Sequence, residues 1–497
     1  MRRRLVLAVC AVAVAAAACG GGAEDSGPGV ARAPDRLPEG RKPVILEPGP
    51  VAIESAQVRD AALDQTVSLG VDTVRMVVFW RETVPGERPV GFDPSDPLEP
   101  GYDFAKYDGF ARAAAERNLK LLVTISGPGP RWASGGAKGV RDPDVGEFGE
   151  FATAVATRYG GEFDPDGPGG DDRLPGADMW SVWNEPNLSI FLQPQLRDGA
   201  PYSPVLYREL YLAAQDAVTL ADPGTPLLVG ETAPTGSTDS VDPIPFAEGV
   251  LCLSPEARAS PACDSGRIAA AGWATHPYGV SGQAPFDPPP SEDFVTIDSL
   301  GGLERVLDEG ARAGQLKPEL PVFITEYGIQ SLPDPLLGVP VTAQAAYLSI
   351  AELFAYADNR SRSFAQYLLF DDPADRVPGT EYGGFESGLR FDDGAPKPAL
   401  DAFRLPLVVR RDGDRVQIWG LVRPAREATE VELRVLDGGR EHALETVETD
   451  GAGIYELESA YRSGRLWKVR WTDAAGTRFE GALTRAYEFE DPARGSG

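Results

Sequence analysis

The stretch MWSVWNEPNLS runs two Trp, a Val and a Met into Asn184, Glu185 and Pro186, and PVFITEYG repeats the pattern further on with Glu326. An ionisable side chain at the end of an apolar run is held rigidly by the buried segment and presented beyond it, which is what catalytic positioning requires. Two carboxylates presented into one cleft are equipped to cleave a glycosidic bond. One protonates the leaving oxygen while the other attacks the anomeric carbon.

The elements that must hold these residues follow a strand–helix rhythm. Apolar runs read as strands at VAIES, VDTVRMVVFW, LKLLVTIS, MWSVWN, PLLVGE, GWATH, PVFITE and SFAQYLLF, with amphipathic Ala- and Glu-rich stretches between most of them. Near-continuous apolar strands alternating with helices imply a parallel sheet covered on its outer face, and eight of them imply a (β/α)8 barrel over residues 44–405. A doubly wound open sheet is disfavoured, since no strand leads into a glycine-rich phosphate turn. In a barrel, catalytic groups belong at the C-terminal ends of strands. After residue 405 the pattern turns to alternating Val, Leu and Trp with no helical stretch, as in DRVQIWGLV and RLWKVRWTDAAG. Residues 406–490 therefore read as a small antiparallel β-sandwich of immunoglobulin-like size, an accessory domain with Trp419, Trp467 and Trp471 in its core.

WNEPN followed by TEYG resembles clan A of the glycoside hydrolases, the retaining barrel enzymes that include the family-five cellulase-like and family-thirty-nine xylosidase-like groups. The likeness runs from about Val44 to Leu405. It implies Glu185 as acid/base, Glu326 as nucleophile and Asn184 as the partner of the sugar 2-hydroxyl. VRMVVFW puts Arg75 where clan members keep an Arg on the nucleophile, and HPYG matches their His-x-Tyr, so Tyr278 is expected to donate to Glu326 and His276 to touch substrate or tune the acid/base. The expected substrate-binding set is Asn184, Arg75, His276 and Tyr278, with Trp80 and Trp132 as stacking residues and Glu231 as a hydroxyl acceptor. Two departures bear on the substrate. Ser126 stands where many cellulase-like members have His, and YLLFDD lacks their strand-eight Trp, leaving Tyr367 or Phe370 to take its place.

Composition bounds the partners. A formal net charge of −28 over 497 residues argues against nucleic acid or an anionic lipid surface and fits an uncharged carbohydrate. The N-terminus, MRRRLVLAVCAVAVAAAAC, has three Arg and an apolar run too short to span a bilayer comfortably. It reads as an export signal over residues 1–19 ending in AAAC, which resembles a bacterial lipobox and names Cys19 for lipidation. A Gly- and Pro-rich tether follows over residues 20–43. The membrane is then met only through the lipid anchor, with plain secretion as the alternative, and a monomer is expected. Export places Cys252 and Cys263, close together in CLSPEARASPAC, in an oxidising compartment, so a local disulfide is expected. No metal or other cofactor is expected, because His276 and His442 are the only histidines and the acidic turn FDPDGPGGDD lacks calcium-loop spacing.

Three readings of function remain: a retaining glycosidase, a transglycosidase using the same two Glu, and a non-catalytic sugar-binding surface protein.

Overall fold

Val, Ile, Leu and Trp in short runs favour strands buried on both faces. The protein, seen as a computed structural model, is described over residues 32–33, 36–167, 170–264, 266–280, 282–373 and 384–492. The runs form β1 (Val44–Glu47), β2 (Thr73–Phe79), β3 (Lys120–Ser126), β4 (Met179–Val182), β5 (Leu227–Thr232), β6 (Gly272–Thr275), β7 (Val322–Ile324) and β8 (Phe364–Tyr367). All are parallel, in the order β8-β1-β2-β3-β4-β5-β6-β7. The ring closes where Val322 of β7 bridges Ser361, just ahead of β8. This is a (β/α)8 barrel. Outside it lie α1 (Ala56–Ser68), α2 (Ala105–Glu116), α3 (Val145–Arg158), α4 (Ser203–Ala221), α5 (Pro243–Val250), α6 (Leu300–Arg312), α7 (Val341–Ala357) and α8 (Pro398–Arg404), one after each strand. Their starts are chemically marked. Asp144 caps α3 by accepting from the Glu147 N–H at 2.9 Å, and Pro243 opens α5.

One expected strand is displaced. VAIES is a helical turn, Pro50–Glu54, begun by a proline whose fixed φ suits the first helical position. The first strand is the upstream VILE of β1, which pairs with both β2 and β8. The segment between β5 and β6 carries α5 and then a loop closed by the Cys252–Cys263 disulfide, with Cα atoms 5.9 Å apart.

Beyond α8, β9 (Leu407–Asp412), β10 (Arg415–Leu421) and β13 (Ile454–Ala460) form one antiparallel sheet. A second antiparallel sheet contains β11 (Glu430–Asp437), β12 (Arg440–Glu448), β14 (Leu466–Thr472), β15 (Arg478–Glu480) and β16 (Thr484–Arg485). Alternate residues fill the space between the sheets, with Val416, Ile418, Val431, Leu433, Trp467 and Trp471 in one core. Trp419 and Leu421 of β10 point the other way and pack on Ala346 and Ile350 of α7. All three Trp of this domain are therefore packing residues.

The docking is also polar. Arg423 donates to Glu352 Oε2 of α7 at 2.6 Å and to the Phe403 carbonyl at 2.7 Å, with both charged groups buried. The end of the segment expected to be a flexible tether joins this contact. Arg41 is buried against four carbonyls of the β-domain, and Lys42 donates to the carbonyls of Ala355, Asp358 and Ser361 at the end of α7. Exposed carbonyls at a helix C-terminus attract a cation, so these residues are fixed in place. The expected export signal and Cys19 lie outside the described residues. Among those residues, no helix is long and apolar enough to cross a membrane.

Candidate active site

The C-terminal rim of the barrel gathers four glutamates around one guanidinium. Arg75, on β2, points into the barrel and is wholly buried. Its Nε donates to Thr124 Oγ1 of β3 at 3.1 Å, and Thr124 in turn meets Ser181 Oγ of β4 at 2.8 Å. Its Nη1 donates to Glu47 Oε2 at 2.8 Å and to Glu326 Oε1. Its Nη2 reaches Asn184 Oδ1 at 3.0 Å and Glu231 Oε2 at 3.2 Å. A planar fork with five donors suits this task, which a lysine could not perform.

Glu185 is aimed by local backbone geometry. Trp183 and Glu185 have φ of 67° and 43°, so the chain leaves β4 through left-handed residues instead of continuing as a strand. The Trp183 ring is buried against Phe148 and lies where a Cβ on Gly127 would come within 2.4 Å of it, so only glycine fits after β3. The Glu185 N–H donates to the Glu231 carbonyl at 2.9 Å, which ties the ends of β4 and β5 together. On β5 the ladder slips between Gly230 and Thr232, with Gly230 at φ 114° and Glu231 at 52°. A bulge of this kind re-aims a side chain. It turns the Glu231 carboxylate inward, where Oε2 also receives His276 Nε2 at 2.6 Å and Thr325 Oγ1 at 2.8 Å.

His276 follows β6 and bridges two acids. Its Nδ1 lies 3.0 Å from Glu185 Oε1 and 3.5 Å from Glu326 Oε2, with Glu231 on the other nitrogen. Tyr278 donates to Glu326 Oε2 at 3.0 Å. Burial alone would strip the proton from His276, but the carboxylates of Glu326, Glu185 and Glu231 raise it to about 10, so the ring is an imidazolium. Burial alone would likewise raise Glu231, yet Arg75 and His276 hold it down at about 2. Glu185 moves the other way, because its burial outweighs the bond from His276 and leaves its carboxyl above the ordinary range. Burial also carries Glu47 up to about 7 despite Arg75.

A carboxylate oxygen of Glu185, a ring nitrogen of His276 and a carboxylate oxygen of Glu326 lie within 4.8 Å of one another, close enough to converge on a metal ion. A metal-binding His must be neutral, whereas both nitrogens of His276 face carboxylates and Glu326 already faces Arg75. The donor set suits protons and cationic side chains better than a metal.

Of the residues singled out in the sequence, Glu185, Glu326, Asn184, Arg75, His276, Tyr278 and Glu231 meet in this one hydrogen-bonded cluster. Three of them do not touch solvent. Arg75, His276 and Glu231 are completely buried, so they position the acids and are not substrate contacts; Glu231 in particular has its carboxylate turned toward Arg75 and His276, not toward the cleft. Trp80 does not reach a sugar either. It is completely buried, stacked on Phe151 at 5.5 Å and edge-on to Trp132, because the chain turns into a short helix, Trp80–Thr83, at the end of β2. Trp132 is half-buried on that aromatic group, with its N–H on the Pro85 carbonyl at 3.2 Å and Arg88 over its ring. Tyr367 stands edge-on to Tyr278 at 6.5 Å and to Phe385 at 5.1 Å, whereas Phe370 packs on the barrel core. Glu47 escaped sequence reading. Its signal was an apolar VIL run ending in Glu, the same pattern that marks Glu185 and Glu326.

No family model and no curated protein matches the chain in sequence. Solved structures match it in fold. A glucosidase from Croceicoccus marinus shares 16% identity over 86% of this chain and 92% of that one, with a TM-score of 0.50. A monomeric β-xylosidase from Caulobacter crescentus CB15 shares 16% identity over 91% of this chain and 98% of that one, with a TM-score of 0.51. At such identities the likeness is one of fold: a barrel of eight parallel strands followed by an all-β domain.

Proposed function

We propose that the protein is a retaining glycoside hydrolase that cleaves O-glycosidic bonds of an oligo- or polysaccharide by double displacement. The observation that carries this reading is the approach of the Glu185 and Glu326 carboxylates to within 4.8 Å, each in a different electrostatic setting. Retaining enzymes hold their two carboxyls about 5–5.5 Å apart and inverting ones about 6.5–9.5 Å, since the latter must admit a water. The fold likeness to a glucosidase and a β-xylosidase adds support.

In this mechanism Glu326 is the nucleophile. Arg75 and Tyr278 engage its two oxygens and hold it for attack on the anomeric carbon. Glu185, whose burial raises its pKa and so favours the protonated form, gives its proton to the leaving oxygen, and a covalent glycosyl-enzyme forms on Glu326. That ester no longer carries the negative charge that helps raise Glu185, so Glu185 becomes more acidic and can deprotonate the incoming water. Asn184 has its Oδ1 committed to Arg75, which leaves its amide N–H groups to donate to the sugar 2-hydroxyl. The chain is further proposed to be exported and to act as a monomer, either anchored through a lipid on Cys19 or secreted.

Hydrolysis of a panel of aryl β-glycosides, with the first product followed by NMR, tests the reading. The expected product is the β-anomer, with a methyl β-glycoside when methanol is added. An α-anomer as first product would contradict it, and so would no turnover of any member.

A further inference from the structure

Glu47 is the one carboxylate of the cluster that the two-acid mechanism leaves without work. It ends β1, a strand paired on both sides, and its carbonyl accepts from Leu368 N–H at 3.1 Å, so the side chain projects from fixed backbone. Its Oε2 shares Arg75 Nη1 with the nucleophile, and its Oε1 makes no hydrogen bond among the described residues. The Glu47 side chain keeps 15% of its surface exposed while Arg75 keeps none, so the carboxylate reaches solvent and the guanidinium lies beneath it.

Charge balance argues that Glu47 does more than neutralise Arg75. That guanidinium already faces Glu231 and Glu326, and His276 faces Glu185 and Glu231. Above about pH 7, where Glu47 has lost its proton, the carboxylates of Glu47, Glu231 and Glu326 share the one Arg75 guanidinium, and no other Lys or Arg among the described residues pairs with any of the four glutamates. Among the described residues, a sugar carboxylate placed beside an ionised Glu47 would meet a like charge, with Arg75 already engaged by Glu231 and Glu326. Hydroxyl groups, by contrast, can donate to the free Glu47 oxygen on one side and accept from Asn184 on the other.

We propose that Glu47 reads the sugar held over Glu326: its Oε1 accepts a hydrogen bond from a hydroxyl of that sugar, and its charge makes the site select neutral glycosides and reject uronides. This rests on the glycosidase reading and narrows its substrate class.

The test, run at about pH 8 so that Glu47 is ionised, pairs p-nitrophenyl β-glucoside with the β-glucuronide, and the β-galactoside with the β-galacturonide, measuring both kcat/KM and calorimetric affinity for wild type, Glu47→Gln and Glu47→Ala. Wild type is expected to favour the neutral member of the productive pair by about a hundredfold or more, and Glu47→Gln to shrink that preference by about tenfold or more, because like-charge rejection is lost. Glu47→Ala should lower kcat/KM on the neutral member by about 10- to 100-fold, the loss of one hydrogen bond to a charged group. Monodeoxy glycosides tested on wild type read the same contact without a substitution. One deoxy position should bring a similar loss in wild type and little further loss in Glu47→Ala. A uronide handled as well as its neutral partner, or a preference unchanged in Glu47→Gln, would overturn the inference while leaving the glycosidase reading intact. Binding without turnover would sink the glycosidase reading, and the affinity ratio would still decide the role of Glu47. Binding of neither member overturns both.

Discussion

Glu185 and Glu231 are both buried glutamates bonded to the same imidazole, yet burial wins at the first and pairing at the second. The difference is Arg75, which reaches Glu231 at 3.2 Å and leaves Glu185 with His276 as its cationic partner. Burial therefore shifts Glu185 toward its protonated form, while Glu231 stays an anion that helps keep His276 charged. This has a consequence for stability. The folded state holds a proton on Glu47 up to about 7 against an ordinary value of 4.5, and on His276 up to about 10 against 6.5. Because the unfolded chain releases these protons earlier, unfolding free energy falls as pH rises: first through Glu47 up to about 7, then through His276 up to about 10. Urea unfolding at about pH 6 and about pH 9 should show the decline, and His276→Gln should flatten it. A rise in stability over that interval would contradict the charge assignment. At this scale the two working acids were legible because each follows an apolar run directly. Arg75 on Glu326 and His276 beside Glu185 were expected from the resemblance, but the complete burial of both, and of Glu231, was not legible, because exposure depends on how strand ends face one another and not on neighbours in sequence.

The strands carry the site through departures from regular geometry at their ends. Most strands were legible from their apolar runs, but their terminations were not. The Met179-to-Asn184 run reads as one continuous strand, yet β4 stops at Val182 and the chain leaves it through left-handed Trp183 and Glu185. Trp80 looks like a rim aromatic until the strand before it turns into a helix and buries the ring. VAIES reads as a strand by its β-branched residues, and Pro50 converts it into a helical turn, which is why β1 and Glu47 went unseen. The bulge at Gly230 gives the clearest prediction. A Cβ there would lie 2.5 Å from the Ala274 carbonyl oxygen and 2.6 Å from Trp273 Nε1, at a φ of 114° that side chains rarely adopt. Gly230→Ala should cost about 1–3 kcal/mol in stability and lower kcat, since relief of the clash shifts Glu231 away from Arg75 and His276. Thermal unfolding and steady-state kinetics check both. Wild-type kcat together with wild-type stability would show that the bulge does not aim the site.

The two domains meet through an apolar patch and a buried ion pair, and so behave as one structural unit. Trp419 and Leu421 of the β-domain cover Ala346 and Ile350 of the barrel, and Arg423 joins Glu352 with both groups out of solvent. Removing one partner of such a pair leaves a bare buried charge, so Arg423→Met should destabilise the protein by about 3–5 kcal/mol. Calorimetry should show a single transition in wild type. Separate melting of the two domains in wild type would contradict this account of the docking. The change from barrel to sandwich near residue 405 was readable, because the hydrophobic period switches there. The docking of Arg41 and Lys42 was not, because their partners are carbonyls far along the chain and the local sequence has the composition of a tether.

The identity of the nucleophile is the central claim, and Glu326→Ala tests it most directly. With the productive aryl β-glycoside, the variant should be inactive in buffer and regain turnover when azide is added, releasing the α-glycosyl azide, because the small anion enters the space the carboxylate vacated. Near-wild-type hydrolysis by Glu326→Ala, or a β-glycosyl azide as its product, would contradict the assignment.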